Sequence, residues 1–226
     1  VRINDDLHAR VHVASHKLDW VASPLPGVDR RMLDRIGGEV ARATTIVRYA
    51  PGSFFSAHSH DGGEEFLVLD GVFSDEHGDY GPGHYVRNPR GSSHTPFSKD
   101  GCTIFVKLWQ MEEDDQDFIR TDTRGTTYRP GSTKGITLLD LHRYGNEMVR
   151  MEKWRPGTSE SRIYEGGAEY LVIDGLLEDK NGRYAKGDWL RLPPGYDHIL
   201  QARERTQLYV KTGHLSKPPN LFLFTD

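Results

Sequence analysis

The sequence predicts an all-β protein built from two sibling halves. Three observations carry this: an internal repeat, dense punctuation by glycine and proline, and short apolar runs without any long helical periodicity. Residues 64–71 read E-E-F-L-V-L-D-G and residues 168–175 read A-E-Y-L-V-I-D-G, an offset of 104 positions. The offset continues without a gap, so that Gly71, Asp75, Gly78, Tyr80, Gly83, Pro89, Gly91 and His94 fall on Gly175, Asp179, Gly182, Tyr184, Gly187, Pro193, Gly195 and His198. A period near half of the 226 residues means two similar domains, because solenoid repeats run about 20–50 residues.

Along the chain, 24 glycines and 12 prolines separate brief apolar or alternating runs at residues 45–49, 66–69, 103–109, 170–173 and 207–211. Many short strands at such spacing read as a sandwich or barrel. The seam lies between residues 112 and 130, where E-E-D-D-Q-D gives way to T-D-T-R-G-T-T-Y-R-P. We place the boundary near Thr121, giving domains 1–120 and 121–226, and read the acidic run as a solvated linker. The first 25 or so residues show no clear counterpart in the repeat, which suits an arm that packs on a neighbouring subunit and makes a homodimer an expectation. His8, His12 and His16 would share a face on a helix, but V-H-V-A-S-H favours a strand edge or a solvated segment.

Composition narrows the function classes. The 29 basic and 33 acidic residues give a net charge of −4 with no lysine or arginine run, so neither nucleic acid nor an anionic membrane is an expected partner. No segment approaches the ~18 apolar residues of a membrane span. The start V-R-I-N-D-D lacks the apolar core of a signal peptide. The single cysteine, Cys102, excludes an intrachain disulfide framework and fits a reducing compartment, so a cytoplasmic location is expected. Cys102 lies in the apolar run C-T-I-F-V and reads as a small buried hydrophobe.

The chemistry concentrates in the first half. His58 and His60 alternate with Ser59, so on a strand both imidazoles point to one face. Asp61-Gly62-Gly63 supplies a turn or bulge that brings the next carboxylate to the same side. That carboxylate is Glu64 or, one residue on, Glu65; Glu169, the counterpart of Glu65, persists in the second half where the other candidates do not, which suits a structural role for Glu65. Pro89-Arg90-Gly91 then starts a strand carrying His94. Three imidazoles and one carboxylate make a divalent-metal site with room for water or a ligand. In the second half His58, His60 and Glu64 map to Arg162, Tyr164 and Ala168, leaving His198 alone. That half is expected to be metal-free, a scaffold or else an organic-anion site using Arg162, Tyr164 and His198.

The spacing and order of these two motifs resemble the cupin superfamily, and the resemblance spans both halves, implying two tandem cupin barrels of the jelly-roll type. One departure is Ser98, where the second motif usually has asparagine. More narrowly, residues 51–80 together with N-P-R-G-S-S-H resemble the ChrR-type cupin, the zinc-binding sensory domain of certain anti-sigma factors. The resemblance implies His58, His60, Glu64 and His94 as ligands of one divalent ion, zinc first and iron(II) as the alternative. It further implies a regulatory protein whose partner is a sigma factor or a small-molecule ligand. Such factors add a helical module with a Cys-x-x-Cys pair, for which this sequence offers a single cysteine, so a stand-alone ligand sensor is the expected form. The enzymatic alternative is a mononuclear iron(II) dioxygenase cleaving carbon–carbon bonds of diketone- or hydroxyketone-like substrates. Zinc sugar isomerases would bring a lysine or second carboxylate to the metal, for which no candidate stands out, and a storage-type bicupin does not account for a complete ligand set.

Overall fold

The computed structural model describes residues 1–218 and 221–224. Among the described residues every regular element is a strand except two single 3-10 turns at Ser15–Lys17 and Leu221–Phe224. The chain is therefore all-β, and among the described residues no helix is long and apolar enough to cross a membrane. It divides into two compact units: Val1–Asp5 with Leu18–Gly125 and the terminal turn form the first, and Asp6–Lys17 with Thr126–Pro218 form the second.

The first unit carries an eight-stranded sheet. Its hydrogen-bonded path runs Arg2–Ile3, Val28–Gly37, Ala41–Tyr49, Cys102–Leu108, Glu64–Gly71, His84–Asn88, Ile119–Asp122, with Val21–Ala22 added to Val28–Gly37. A four-stranded sheet of Gly78–Tyr80, Phe73–Asp75, Phe97–Ser98 and Ser53–Phe54 and a two-stranded ribbon of Ser93–His94 with His58–Ser59 complete it. Strand alternation sends Phe66, Val68, Val86, Ile104 and Val106 into one core with Phe73 and Tyr80. Cys102 sits in this core at 5% exposure, and burial pushes its thiol pKa up to about 11. It is a packed hydrophobe.

The second unit repeats the plan. Its seven-stranded path runs Arg129–Pro130, Ile136–Tyr144, Glu147–Trp154, Thr206–Thr212, Ala168–Asp174, Asp188–Leu192, Val11–Ala14, and its four-stranded sheet joins Ser159–Tyr164, Tyr196–Ala202, Leu176–Asp179 and Gly182–Ala185. Its core is built around Trp154, Tyr170, Leu190 and Leu208. Even an irregularity recurs: one extra residue interrupts the ladder at Thr103/Ile104 in the first unit and at Val172/Asp174 in the second.

The units are not the continuous segments 1–120 and 121–226 that the sequence suggests. The second unit takes in the early segment Asp6–Lys17, and the first runs on through Gly125. Val11–Ala14 pairs with Asp188–Leu192, with Val11 opposite Arg191 and Ala14 opposite Asp188. Ile119–Asp122 pairs with His84–Asn88, with Ile119 opposite Arg87 and Asp122 opposite His84. Shifted by the repeat offset, the two registers are the same. The leading segment thus has a counterpart after all, and it pairs within this chain. It escaped notice because V-H-V-A and I-R-T-D share no residue; an edge strand is specified by backbone hydrogen bonds more than by side chains. The acidic run is not wholly solvated either, since Asp115 is buried against Arg87.

Repeated glycines mark where the strands turn. Gly71 and Gly175 adopt φ of 69° and 87°, and an added Cβ would stand 2.1 Å from the Gly101 carbonyl oxygen in one case and 2.3 Å from that of Arg205 in the other. Gly71→Ala and Gly175→Ala should each destabilise by about 1–3 kcal/mol from backbone strain alone. Gly38→Ala, with open space around its Cβ, should stay within about 0.5 kcal/mol of the parent. Denaturant midpoints measured on the three variants check this.

Candidate metal centre

Backbone pairing brings the first-half candidates together. His58 lies opposite His94 in the two-stranded ribbon. His60 follows it, its N–H donating to the Ser92 carbonyl (2.8 Å) and its own carbonyl accepting from Gly91 (2.9 Å). The glycine pair that follows has two tasks. Gly63 takes φ of 76°, while a Cβ on Gly62 would stand 2.2 Å from the Trp109 ring. The chain then enters the Glu64–Gly71 strand with Glu64 facing inward, on the same side as Phe66 and Val68.

The three imidazole rings pack with centroids 5.0, 5.0 and 4.7 Å apart, and one ring nitrogen of each lies within 4.8 Å of the others. Glu64 Oε2 stands 3.5 Å from His60 Nε2 and 3.7 Å from His94 Nε2. His58 Nδ1 lies 3.2 Å from the Ser56 carbonyl oxygen and His94 Nδ1 lies 3.2 Å from Asp75 Oδ2. Both oxygens can only accept, so each Nδ1 carries the proton and each Nε2 presents a lone pair. His60 Nε2 is buried without a hydrogen-bond partner. A buried ring nitrogen without a hydrogen-bond partner, beside a carboxylate and two lone pairs, matches the donor set of a divalent cation, and these residues can hold one.

The electrostatics agree. Burial lowers the His60 pKa below the usual imidazole value. Burial would also lower that of His94, but the Asp75 hydrogen bond and the Glu64 charge outweigh it and raise it. Burial alone would raise the Glu64 carboxyl; the His60 and His94 imidazoles and the Asn88 amide, donating at 3.0 Å, hold it below the ordinary range. Glu65, the neighbouring carboxylate, turns to the opposite face of the strand, accepting from Tyr85 Oη (2.6 Å) and Arg87 Nη1 (3.0 Å).

Above this cluster lies a cavity of about 310 Å³ whose lining includes Leu25, Phe55, Pro96, Leu108 and Trp109 beside His58, His60 and Glu64. His58 is the exposed member of the triad, while His60 and His94 are buried.

In the second unit Arg162 lies opposite His198 as His58 lies opposite His94. Its guanidinium donates to Glu152 through Nη2 (2.9 Å) and Nη1 (3.1 Å) and to Glu160 through Nε, and it stacks 5.0 Å from the Trp154 ring. Glu152 also accepts from Trp154 Nε1 (2.8 Å) and Arg150 Nε (2.6 Å). Tyr164 is within reach of Arg162 Nη1 at 3.4 Å. His198 keeps its contact to Asp179 at 3.5 Å. Arg162 is thus neutralised by carboxylates of its own barrel, which argues against the organic-anion reading of Arg162, Tyr164 and His198. The arrangement is that of a built-in cation.

Four contributors escaped the sequence reading. Asp75 was legible, because it recurs with its histidine as Asp179 with His198. Glu152 was not: it pairs opposite Leu208 as Val47 pairs opposite Ile104, a shift of one residue from the repeat offset. Asn88 opens the N-P-R-G-S-S-H run without any spacing that gives it a role, and Arg120 carries no motif signal. The early histidines do not cluster with the triad: His12 faces Asp188 at 3.2 Å, His16 lies 3.9 Å from it, and His8 is exposed.

Comparisons with known proteins bear on the family and the fold. The sequence model of the ChrR Cupin-like domain family matches residues 8–112 and again 116–216. A comparison by sequence with curated proteins finds no match. Similar solved structures include a candidate dioxygenase of Nostoc punctiforme (TM-score 0.76, 14% identity, 90% of this chain and 82% of that one). The bacterial pirin YhhW of Escherichia coli, in complex with nickel(II), is also similar (0.67, 11%, 93% and 100%). So is a variant of the oxalate decarboxylase OxdC of Bacillus subtilis (0.61, 12%, 89% and 76%). At these identities the likeness concerns the fold.

The buried pair in the second unit yields a stability prediction. Arg162→Met should destabilise by about 3 kcal/mol, because a fully buried Glu152 keeps only Arg150 as counter-charge, and Glu152→Gln on that background should recover much of the loss. Burial alone would raise the Glu152 carboxyl, yet Arg162 and Arg150 hold its folded pKa below the ordinary glutamate value. Its contribution is therefore complete above the unfolded pKa and lost as pH falls through the depressed folded one. Denaturation of parent and variant across that acid range should show the gap between them narrowing.

Proposed function

This chain belongs to the ChrR Cupin-like domain family, and on that premise we propose that its first barrel is a mononuclear divalent-metal centre that senses a small ligand. The ligands are His58, His60, Glu64 and His94, and the second barrel is a metal-free scaffold. The observation that carries this is the inward-facing triad of imidazoles around a buried carboxylate, with the orphaned Nε2 of His60 at its centre. Zinc is the ion we assign, on the likeness to the zinc-binding ChrR-type cupin, since the three nitrogens and one oxygen suit zinc and iron(II) equally.

The residues present divide the work. Asp75 and the Ser56 carbonyl fix the tautomers of His94 and His58. The apolar mouth formed by Leu25, Phe55, Pro96 and Trp109 favours a small, largely apolar molecule with an oxygen donor facing the triad. A bound ion supplies a Lewis-acidic anchor for that donor. Ligand entry past exposed His58 then alters the loop that carries it, and with it the contact offered to a protein partner such as a sigma factor.

A second reading, an iron(II) dioxygenase acting on diketone- or hydroxyketone-like substrates, is favoured by the same cavity. Its apolar walls would shield the reacting centre from bulk water, and ionised Glu64 beside the triad is placed to accept a substrate proton. Iron(II) would supply the affinity for dioxygen.

Element analysis after expression with balanced metals should find one divalent ion per chain. His60→Ala should abolish retention and His198→Ala should leave it intact; equal losses would contradict the division between barrels. Zinc without oxygen uptake on a panel of diketones supports the sensor, whereas iron with turnover replaces it by the dioxygenase.

A further inference from the structure

We propose that Arg120 is the positioning residue of this metal centre, holding Glu64 and His94 in ligand orientation through two hydrogen-bonded arms. The inference rests on the metal reading above and extends it to a residue outside both motifs. In the first arm Arg120 Nη2 donates to Asn88 Oδ1 (2.6 Å), and Asn88 Nδ2 donates to Glu64 Oε2 (3.0 Å). In the second arm Arg120 Nε donates to Tyr80 Oη (3.1 Å), Tyr80 Oη donates to Asp75 Oδ1 (3.0 Å), and His94 Nδ1 donates to Asp75 Oδ2 (3.2 Å).

The guanidinium is itself held. Its Nη1 donates to the backbone carbonyls of Arg87 and Ile119, both at 2.9 Å, and its plane lies 5.7 Å from the Tyr80 ring centroid. Backbone contacts fix the fork and the fork fixes two side chains, a task the single charge of a lysine does not reproduce. Arg120 also decides which way the Asn88 amide faces. With Oδ1 engaged by a cation, Nδ2 must point at Glu64; an amide turned the other way would set oxygen against carboxylate.

The second half is an internal control. There Arg10, beside the strand Val11–Ala14, donates to Tyr184 Oη, which donates to Asp179 Oδ1 (2.6 Å) behind His198. The tyrosine–aspartate–histidine arm is therefore common to both barrels. The asparagine arm is not: Asn88 opposite Glu64 becomes Leu192 opposite Ala168. The arm to the carboxylate is present where the ligand set is complete and gone where it is lost. A role in packing alone does not account for that coincidence.

The test is chelator competition for zinc by the full-length apo chain, with cobalt(II) substitution and its visible spectrum as a second readout. Arg120→Met and Asn88→Leu, the latter copying the second half, should each weaken zinc binding about 10–100-fold and change the cobalt(II) bands. Arg10→Met should leave affinity within about 2-fold and the spectrum unchanged. Unaltered affinity and spectrum in Asn88→Leu would overturn the proposal, as would an equal loss in Arg10→Met, which would mark a general effect of barrel closure. Should Arg120→Met fail to fold, Asn88→Leu decides. A parent chain that takes up no zinc or cobalt(II) would defeat the metal reading itself, an outcome distinct from parent binding that the variants leave unchanged.

Discussion

A buried carboxylate at the floor of a barrel demands a positive charge beside it, and both units are organised around meeting that demand. Removing an ionised carboxylate from water costs several kcal/mol even after relaxation. In the first unit Glu64 faces three imidazoles, two of them presenting lone pairs by virtue of their Nδ1 contacts. On our proposal these donors hold a divalent ion, and the ion supplies the charge. In the second unit Glu152 faces the guanidinium of Arg162, and the protein supplies the charge itself. The same architecture thus solves one electrostatic problem twice, once with donors for a metal and once with a side chain in its place.

This view explains which residues travelled together. Where His58 becomes Arg162, the carboxylate moves from the Glu64 strand, now Ala168, to Glu152 at the place of Val47. Asn88, whose amide serves Glu64, becomes apolar Leu192. Asp75 and Tyr80 persist as Asp179 and Tyr184, because they hold a histidine that both barrels keep. The strands Val11–Ala14 and Ile119–Asp122 each form an edge of the larger sheet of their unit, in the same register. Through Arg120 the second of them reaches the ligand cluster, so the first barrel's chemistry depends on a segment lying beyond the repeat that encodes its histidines.

Much of this was legible from residues alone. The repeat gave two all-β halves because glycine at positive φ, as at Gly71 and Gly175, is dictated locally and survives divergence. The triad was legible because H-x-H on a strand and the proline-glycine turn before His94 fix directions by backbone geometry. The choice of Glu64 over Glu65 followed from the persistence of Glu169, and Glu65 does lie on the far face with Tyr85 and Arg87. Non-local pairing was not legible. Neither edge strand announces its partner, since Val11 pairs with Arg191 and Ile119 with Arg87, and Arg120 and Glu152 act through contacts that no spacing rule contains. The acidic run misled for the same reason, since burial of Asp115 depends on Arg87, far away in sequence.

The most direct measurement is anomalous scattering from crystals of metal-loaded protein, collected at the absorption edge of the bound element. The account predicts a single strong peak per chain, bounded by the inward nitrogens of His58, His60 and His94 and a carboxylate oxygen of Glu64. A peak beside Arg162 and His198 would contradict it, as would imidazoles turned away from one another around a site with no scatterer.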